Sequence, residues 1–166
     1  MIPTWELVAV GTCGATSKKG GWAYLIQQVD RVTGSKTSRM EDYGPSQDYT
    51  NESRMELGAI KGGLLALPKG SVVQIFTSSS YAQGALSHWF RRWEAEGWRK
   101  QDGSIVQNRS LIISILDIMN RHQSVHINLL DKGSTEDMRR VSELAGRGQL
   151  AFDQDIAPAL AMESLR

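Results

Sequence analysis

Cysteine is nearly missing from this chain: its 166 residues include one, Cys13, which excludes a disulfide framework and any zinc site built from several cysteines. Long apolar runs are missing too. Stretches such as residues 111–113 fall far short of the roughly 20 residues that cross a bilayer. The opening Met-Ile-Pro-Thr-Trp-Glu has no basic segment followed by an apolar one. No membrane span or leader is therefore expected, and the default compartment is the cytoplasm. An excess of either charge is also absent. With 19 Lys+Arg against 18 Asp+Glu, the net charge is +1; this argues against a polyanion binder held by bulk electrostatics but leaves room for a local basic patch. A chain of this length buries about two-thirds of its unfolded surface, so one domain with an ordinary core is expected.

The apolar pattern divides into short strands and longer helices. Residues 5–10 and 21–29 read as two antiparallel strands, the second alternating through Trp22, Tyr24 and Ile26, and residues 36–43 read as a third, outer strand. Leu57, Ile60, Leu64 and Leu67 fall at helical spacing over residues 53–67, with Asn51 or Ser53 as the cap. Pro68-Lys69-Gly70 ends that helix. Residues 71–77 are apolar on both faces, as a central strand between two layers requires, and Ser78-Ser79-Ser80 stands at its carboxyl end. Residues 81–93 suggest one or two short helices, 108–119 a helix and 125–130 a last strand. The final helix opens at Ser134-Thr-Glu-Asp137 and is expected to stop at Gly146 and Gly148. The order β-β-β-α-β-α-α-α-β-α gives a mixed α/β sheet with helices on its faces.

Two segments carry a resemblance. Thr50-Asn-Glu-Ser-Arg-Met-Glu-Leu57 is similar to a T-x-x-x-R-M-E-L motif, and Phe76-Thr-Ser-Ser-Ser-Tyr81 to Y-T-D-S-x-Y; both belong to type 1 ribonuclease H. Further matches are Gly11-Thr-Cys13 with Gly20-Gly21-Trp22, the tryptophan-rich Trp89-Phe-Arg-Arg-Trp93 with Gly97-Trp98, Asp102-Gly103, Asn108, and Ser142-Glu-Leu-Ala145. The resemblance implies a ribonuclease H-like domain over residues 1–148, a five-stranded mixed sheet with helices on both faces. Residues 149–166 are left as a tail or a short helix, capped by Asp153 or Asp155 and carrying Ile156, Leu160 and Leu165 on one side.

The family hydrolyses the RNA strand of an RNA/DNA hybrid with two divalent ions about 4 Å apart, held by clustered carboxylates. Matched position by position, Glu56 retains the helix glutamate, whereas Val10, Ser78 and Ser142 stand where the other three carboxylates belong. The loop histidine that assists turnover falls at Ser134. No acid lies between Glu6 and Asp30, or between Glu56 and Glu94, so the core strands offer no displaced ligand. No metal site is expected, and magnesium or manganese enters only if residual nuclease activity survives. His88, His122 and His126 lie away from the serines in the implied topology, which argues against a Ser/His hydrolase.

The resemblance places nucleic-acid contacts at Thr12, Cys13, Lys18 and Lys19 in the first loop and at Asn51 and Arg54 around the helix start. Arg91, Arg92, Trp93, Arg99 and Lys100 add candidates in the tryptophan-rich handle. The pre-Arg pair is Glu52-Ser53, and Glu52 is expected to repel phosphate. The handle tryptophans read as packing residues; base stacking is more typical of single-strand binders. Three functions stay open: a non-cleaving binder of RNA/DNA hybrid or duplex RNA, a protein-interaction scaffold that kept only the fold, and a weak metal-dependent nuclease. The first two need a duplex or a protein partner and no membrane.

Overall fold

In a computed structural model of the chain, residues 2–164 are described, with side chains through residue 152. Five strands form one sheet in the order β3-β2-β1-β4-β5. They are β1 (Thr4–Cys13), β2 (Gly20–Val29), β3 (Lys36–Pro45), β4 (Val72–Thr77) and β5 (Ser124–Leu129). β1, β2 and β3 run antiparallel, with Val10 opposite Ala23; β4 lies parallel to β1, with Val8 opposite Phe76, and β5 lies parallel to β4. The helices are α1 (Glu52–Ala66), α2 (Ser80–Gly84), α3 (Phe90–Ala95), α4 (Arg109–Met119) and α5 (Glu136–Ser164), and a π-helical turn, Ala85–Trp89, joins α2 to α3. Among the described residues no helix is long and apolar enough to cross a membrane.

Alternation along β1 sorts the core into two layers. Leu7 and Ala9 meet Leu57, Ile60 and Leu64 of α1 and Ile112 and Ile115 of α4. Val8 and Val10 face the other way, into Met138, Val141, Leu144 and Ala145 of α5. β4 serves both layers, because Val73 and Ile75 join the first while Phe76 packs on the second. Helices therefore cover both faces of a five-stranded mixed sheet, as the residue pattern and the resemblance together imply.

One expectation is corrected. The last helix does not stop at Gly146 or Gly148 but runs through both, so residues 149–164 continue α5 and form no separately capped helix. Gly148 has a packing role there: a Cβ on it would lie 2.2 Å from the Gly44 carbonyl oxygen of β3, closer than any side chain allows. Beyond it, Phe152 is buried against Tyr49, at 5.4 Å between ring centroids, with Lys19 Nζ 5.8 Å from its ring. The 148/149 boundary thus falls inside a continuous helix. Ile156, Leu160 and Leu165, read as one face of a short helix, lie outside the residues whose side chains are described. Gly148→Ala is expected to destabilise the fold by about 2 kcal/mol through overpacking against backbone that has nowhere to move. A urea unfolding midpoint equal to that of the parent would refute that contact.

Candidate functional site

The site is built where three chain segments meet at one end of the sheet. Gly11 near the end of β1 lets α1 approach closely: a Cβ there would meet the Glu56 nitrogen at 2.2 Å. Asn51 caps α1, its side chain accepting a hydrogen bond from the Arg54 amide at 2.9 Å, so the helix starts at the motif and brings Glu56 onto the sheet on its second turn. Ser78, just past β4, donates from Oγ to Glu56 Oε1 at 3.5 Å. From the loop before α5, Lys132 Nζ comes within 4.0 Å of Glu56 Oε1 and within 3.2 Å of Glu52 Oε1. An open cavity of about 370 Å³ lies over these groups, lined also by Ser53, Ser79, Tyr81 and Asp131.

Glu56 is 3% exposed, and its Oε2 has no hydrogen-bond partner. Burial pushes its carboxyl up to about 7, against the opposing pull of the Lys132 ammonium and the Gly11 amide. Desolvation of the charged form outweighs both.

The three positions that the resemblance reads as replaced carboxylates do not share one environment. Ser78 touches Glu56. Val10 is 1% exposed and packs with Val141, Leu144 and Ala145 on the α5 face of the sheet. Ser142 turns its hydroxyl back onto its own helix, donating to the Met138 carbonyl at 2.7 Å. No hydrogen bond ties Val10 or Ser142 to Glu56.

The nucleic-acid candidates also divide. Lys18 is exposed on a left-handed turn, φ 60°. Lys19 sits over Phe152. Cys13 donates to the Thr50 carbonyl at 3.5 Å, and burial raises its thiol pKa; its neighbour Thr12 is half-buried. Arg54 reaches Asn108 at 3.1 Å, which ties the start of α1 to the start of α4. In the handle, Trp93 packs between Trp89 and Trp98, with centroids 6.0 and 5.9 Å away, and leans on the core. Arg91 lies against Phe90, Arg92 pairs with Glu96 at 3.1 Å, and Arg99 donates to the Gly103 carbonyl at 2.9 Å. Lys100 is exposed. Lys132 was not among the sequence candidates. The only hint was a base beside Asp131, and its partner Glu52 stands eighty positions earlier in the chain.

With this geometry in view, the comparisons with known proteins identify the family. The family model described as RNase H matches residues 6–146, and the chain belongs to the ribonuclease H family. A ribonuclease H of Thermoanaerobacter sp. (strain X514) is 30% identical over 151 residues, covering 84% of this chain and 92% of that protein. Among solved structures, LC9-RNase H1, described as a type 1 RNase H with the type 2 active-site motif, superposes with a TM-score of 0.78 at 19% identity, over 92% of this chain and 74% of that one. The foamy viral protease-reverse transcriptase, solved in complex with an RNA/DNA hybrid, gives a TM-score of 0.65 at 13% identity, over 89% of this chain and 20% of that one.

The donor set fits a two-ion centre poorly. Glu56 supplies one carboxylate, Ser78 a neutral hydroxyl, and Val10 an isopropyl group inside an apolar layer. Among the described residues, no group of three or more His, Cys, Asp or Glu side chains could hold a metal ion. Hard divalent ions need several oxygen ligands, and here an ammonium faces the one buried carboxylate.

Proposed function

We propose that this ribonuclease H-family protein binds duplex nucleic acid, an RNA/DNA hybrid or double-stranded RNA, without cutting it. The observation that carries the reading is the chemistry around Glu56. A lone buried carboxylate, hydrogen-bonded to a serine and opposed by a lysine, cannot charge-balance two divalent ions. The binding half is supported by exposed Lys18, Arg91, Arg92, Arg99 and Lys100 on the first loop and the handle. Pairing of Glu52 with Lys132 at 3.2 Å also offsets the repulsion expected of Glu52 toward phosphate. Contacts of this kind are sequence-independent and salt-sensitive.

Fluorescence anisotropy on labelled hybrid, duplex RNA and duplex DNA over a salt series tests the reading. Lys18→Glu, Arg91→Glu and Lys100→Glu are each expected to weaken binding and to flatten the log-affinity against log-salt slope by about one. Lys19 is left out because its contact with Phe152 would mix stability into the result. Affinity that ignores all three reversals would favour the scaffold function. Magnesium- or manganese-dependent release of RNA fragments by the purified wild-type protein, lost in Glu56→Gln, would establish a nuclease instead.

A further inference from the structure

Glu52 and Glu56 stand four residues apart on α1, a spacing that puts two like charges on one face of a helix and destabilises it. Glu56 adds the cost of burial, with one carboxylate oxygen lacking any hydrogen-bond donor. A cation between them is what this arrangement calls for. Lys132 supplies it, 3.2 Å from one carboxylate and 4.0 Å from the other. Among the described residues it is the only basic one lining the cavity. Its backbone is held by a turn in which the Ser134 amide and hydroxyl both donate to the Asp131 carbonyl, at 3.1 and 2.6 Å, with Arg139 closing on the Gly133 carbonyl at 2.9 Å.

We propose that the Lys132 ammonium is the resident cation of this pocket, a tethered counter-ion for Glu52 and Glu56 that holds the place of a divalent ion. The inference rests on the non-cleaving function above and extends it: the chain has lost carboxylates and has also filled the remaining negative pocket with its own charge. A divalent ion entering beside Glu56 would sit within a few ångströms of an ammonium, and like charges at that range repel even in water, more so in a partly buried pocket.

Manganese is the probe, read by the electron paramagnetic resonance signal of the free ion at pH 8 on the full chain. The wild-type protein is expected to leave that signal unchanged in the low millimolar range. Lys132→Met keeps the aliphatic stem, removes the charge, and is expected to bind manganese at least about tenfold more tightly than wild type. Lys132→Arg keeps a cation and should resemble wild type, and adding Glu56→Gln to Lys132→Met should remove the gain. Manganese bound by the wild-type protein as tightly as by Lys132→Met overturns the proposal, and so does a failure of Lys132→Met to bind at all while it keeps a cooperative thermal transition. Hybrid cleavage by the wild type is assayed in parallel. Cleavage would end the non-cleaving function itself, whereas its absence together with a failed manganese gain would end only the role of Lys132.

Discussion

Val10→Asp is expected to destabilise the protein by about 3–5 kcal/mol, the range found when an uncompensated charge is left in a protein interior. The residue is 1% exposed and packs against Val141, Leu144 and Ala145 of α5, an apolar layer that would desolvate a carboxylate. Adding Ser78→Asp and Ser142→Asp introduces two further negative charges, the first of them beside Glu56. In chelator, the triple variant should unfold at lower denaturant than any single variant. In magnesium or manganese it should regain stability as ion concentration rises, since a ligand that binds only the folded chain stabilises it by mass action. Single replacements should show no such recovery, because ligands of one site act as a unit. Urea melts with and without the ion decide the matter. If Val10→Asp costs less than about 1 kcal/mol, the apolar layer around Val10 is looser than the packing implies.

The contrast between Val10 and Ser78 shows how far sequence reasoning reaches in this chain. Strand alternation and the spacing of Leu57, Ile60 and Leu64 carry the sheet and α1, because periodicity is a local property of the chain. The position of Glu56 follows from the R-M-E-L segment and the glycine at the end of β1. Three features were not legible, and each depends on residues far apart in sequence. Gly148 reads as a helix stop until Gly44 is seen beneath it. Lys19 reads as a phosphate contact or a solvated turn residue, and nothing local shows Phe152, more than a hundred residues later, lying 5.8 Å from its ammonium. Lys132 carries no signal in the sequence beyond its place beside Asp131, and only the turn from Asp131 to Ser134 places it between two glutamates. Glycine, lysine and arginine are the residue types with the most to gain from a distant partner and the least local pattern to betray it. Their tertiary partners are the least legible for that reason.

Stability should fall as pH rises from about 5 to 8, with Glu56 as a principal cause. Burial raises its carboxyl from 4.5 to about 7 in the folded chain, while in the unfolded chain it titrates as an ordinary glutamate. Between those values the folded state holds a proton that the unfolded state has released, so unfolding free energy decreases with pH. The contribution is fully present below pH 4.5 and is lost as pH passes through 7. The groups facing the carboxyl set the limits of the effect: Lys132 and the Gly11 amide favour the charged form, Glu52 opposes it, and Ser78 donates one hydrogen bond to it. A full shift of this size would amount to about 3 kcal/mol at 1.36 kcal/mol per pH unit, and partial hydration of the open cavity brings the expected loss nearer 2 kcal/mol. Glu56→Gln keeps the shape and cannot ionise, so it should match the parent near pH 5 and exceed it by about 2 kcal/mol at pH 8. Lys132→Met should steepen the pH dependence of the parent, and in the Glu56→Gln background it should have no such effect. Denaturant melts of the four proteins at pH 5, 6.5 and 8 measure all of this, and parallel curves for parent and Glu56→Gln across that range would remove Glu56 as the source.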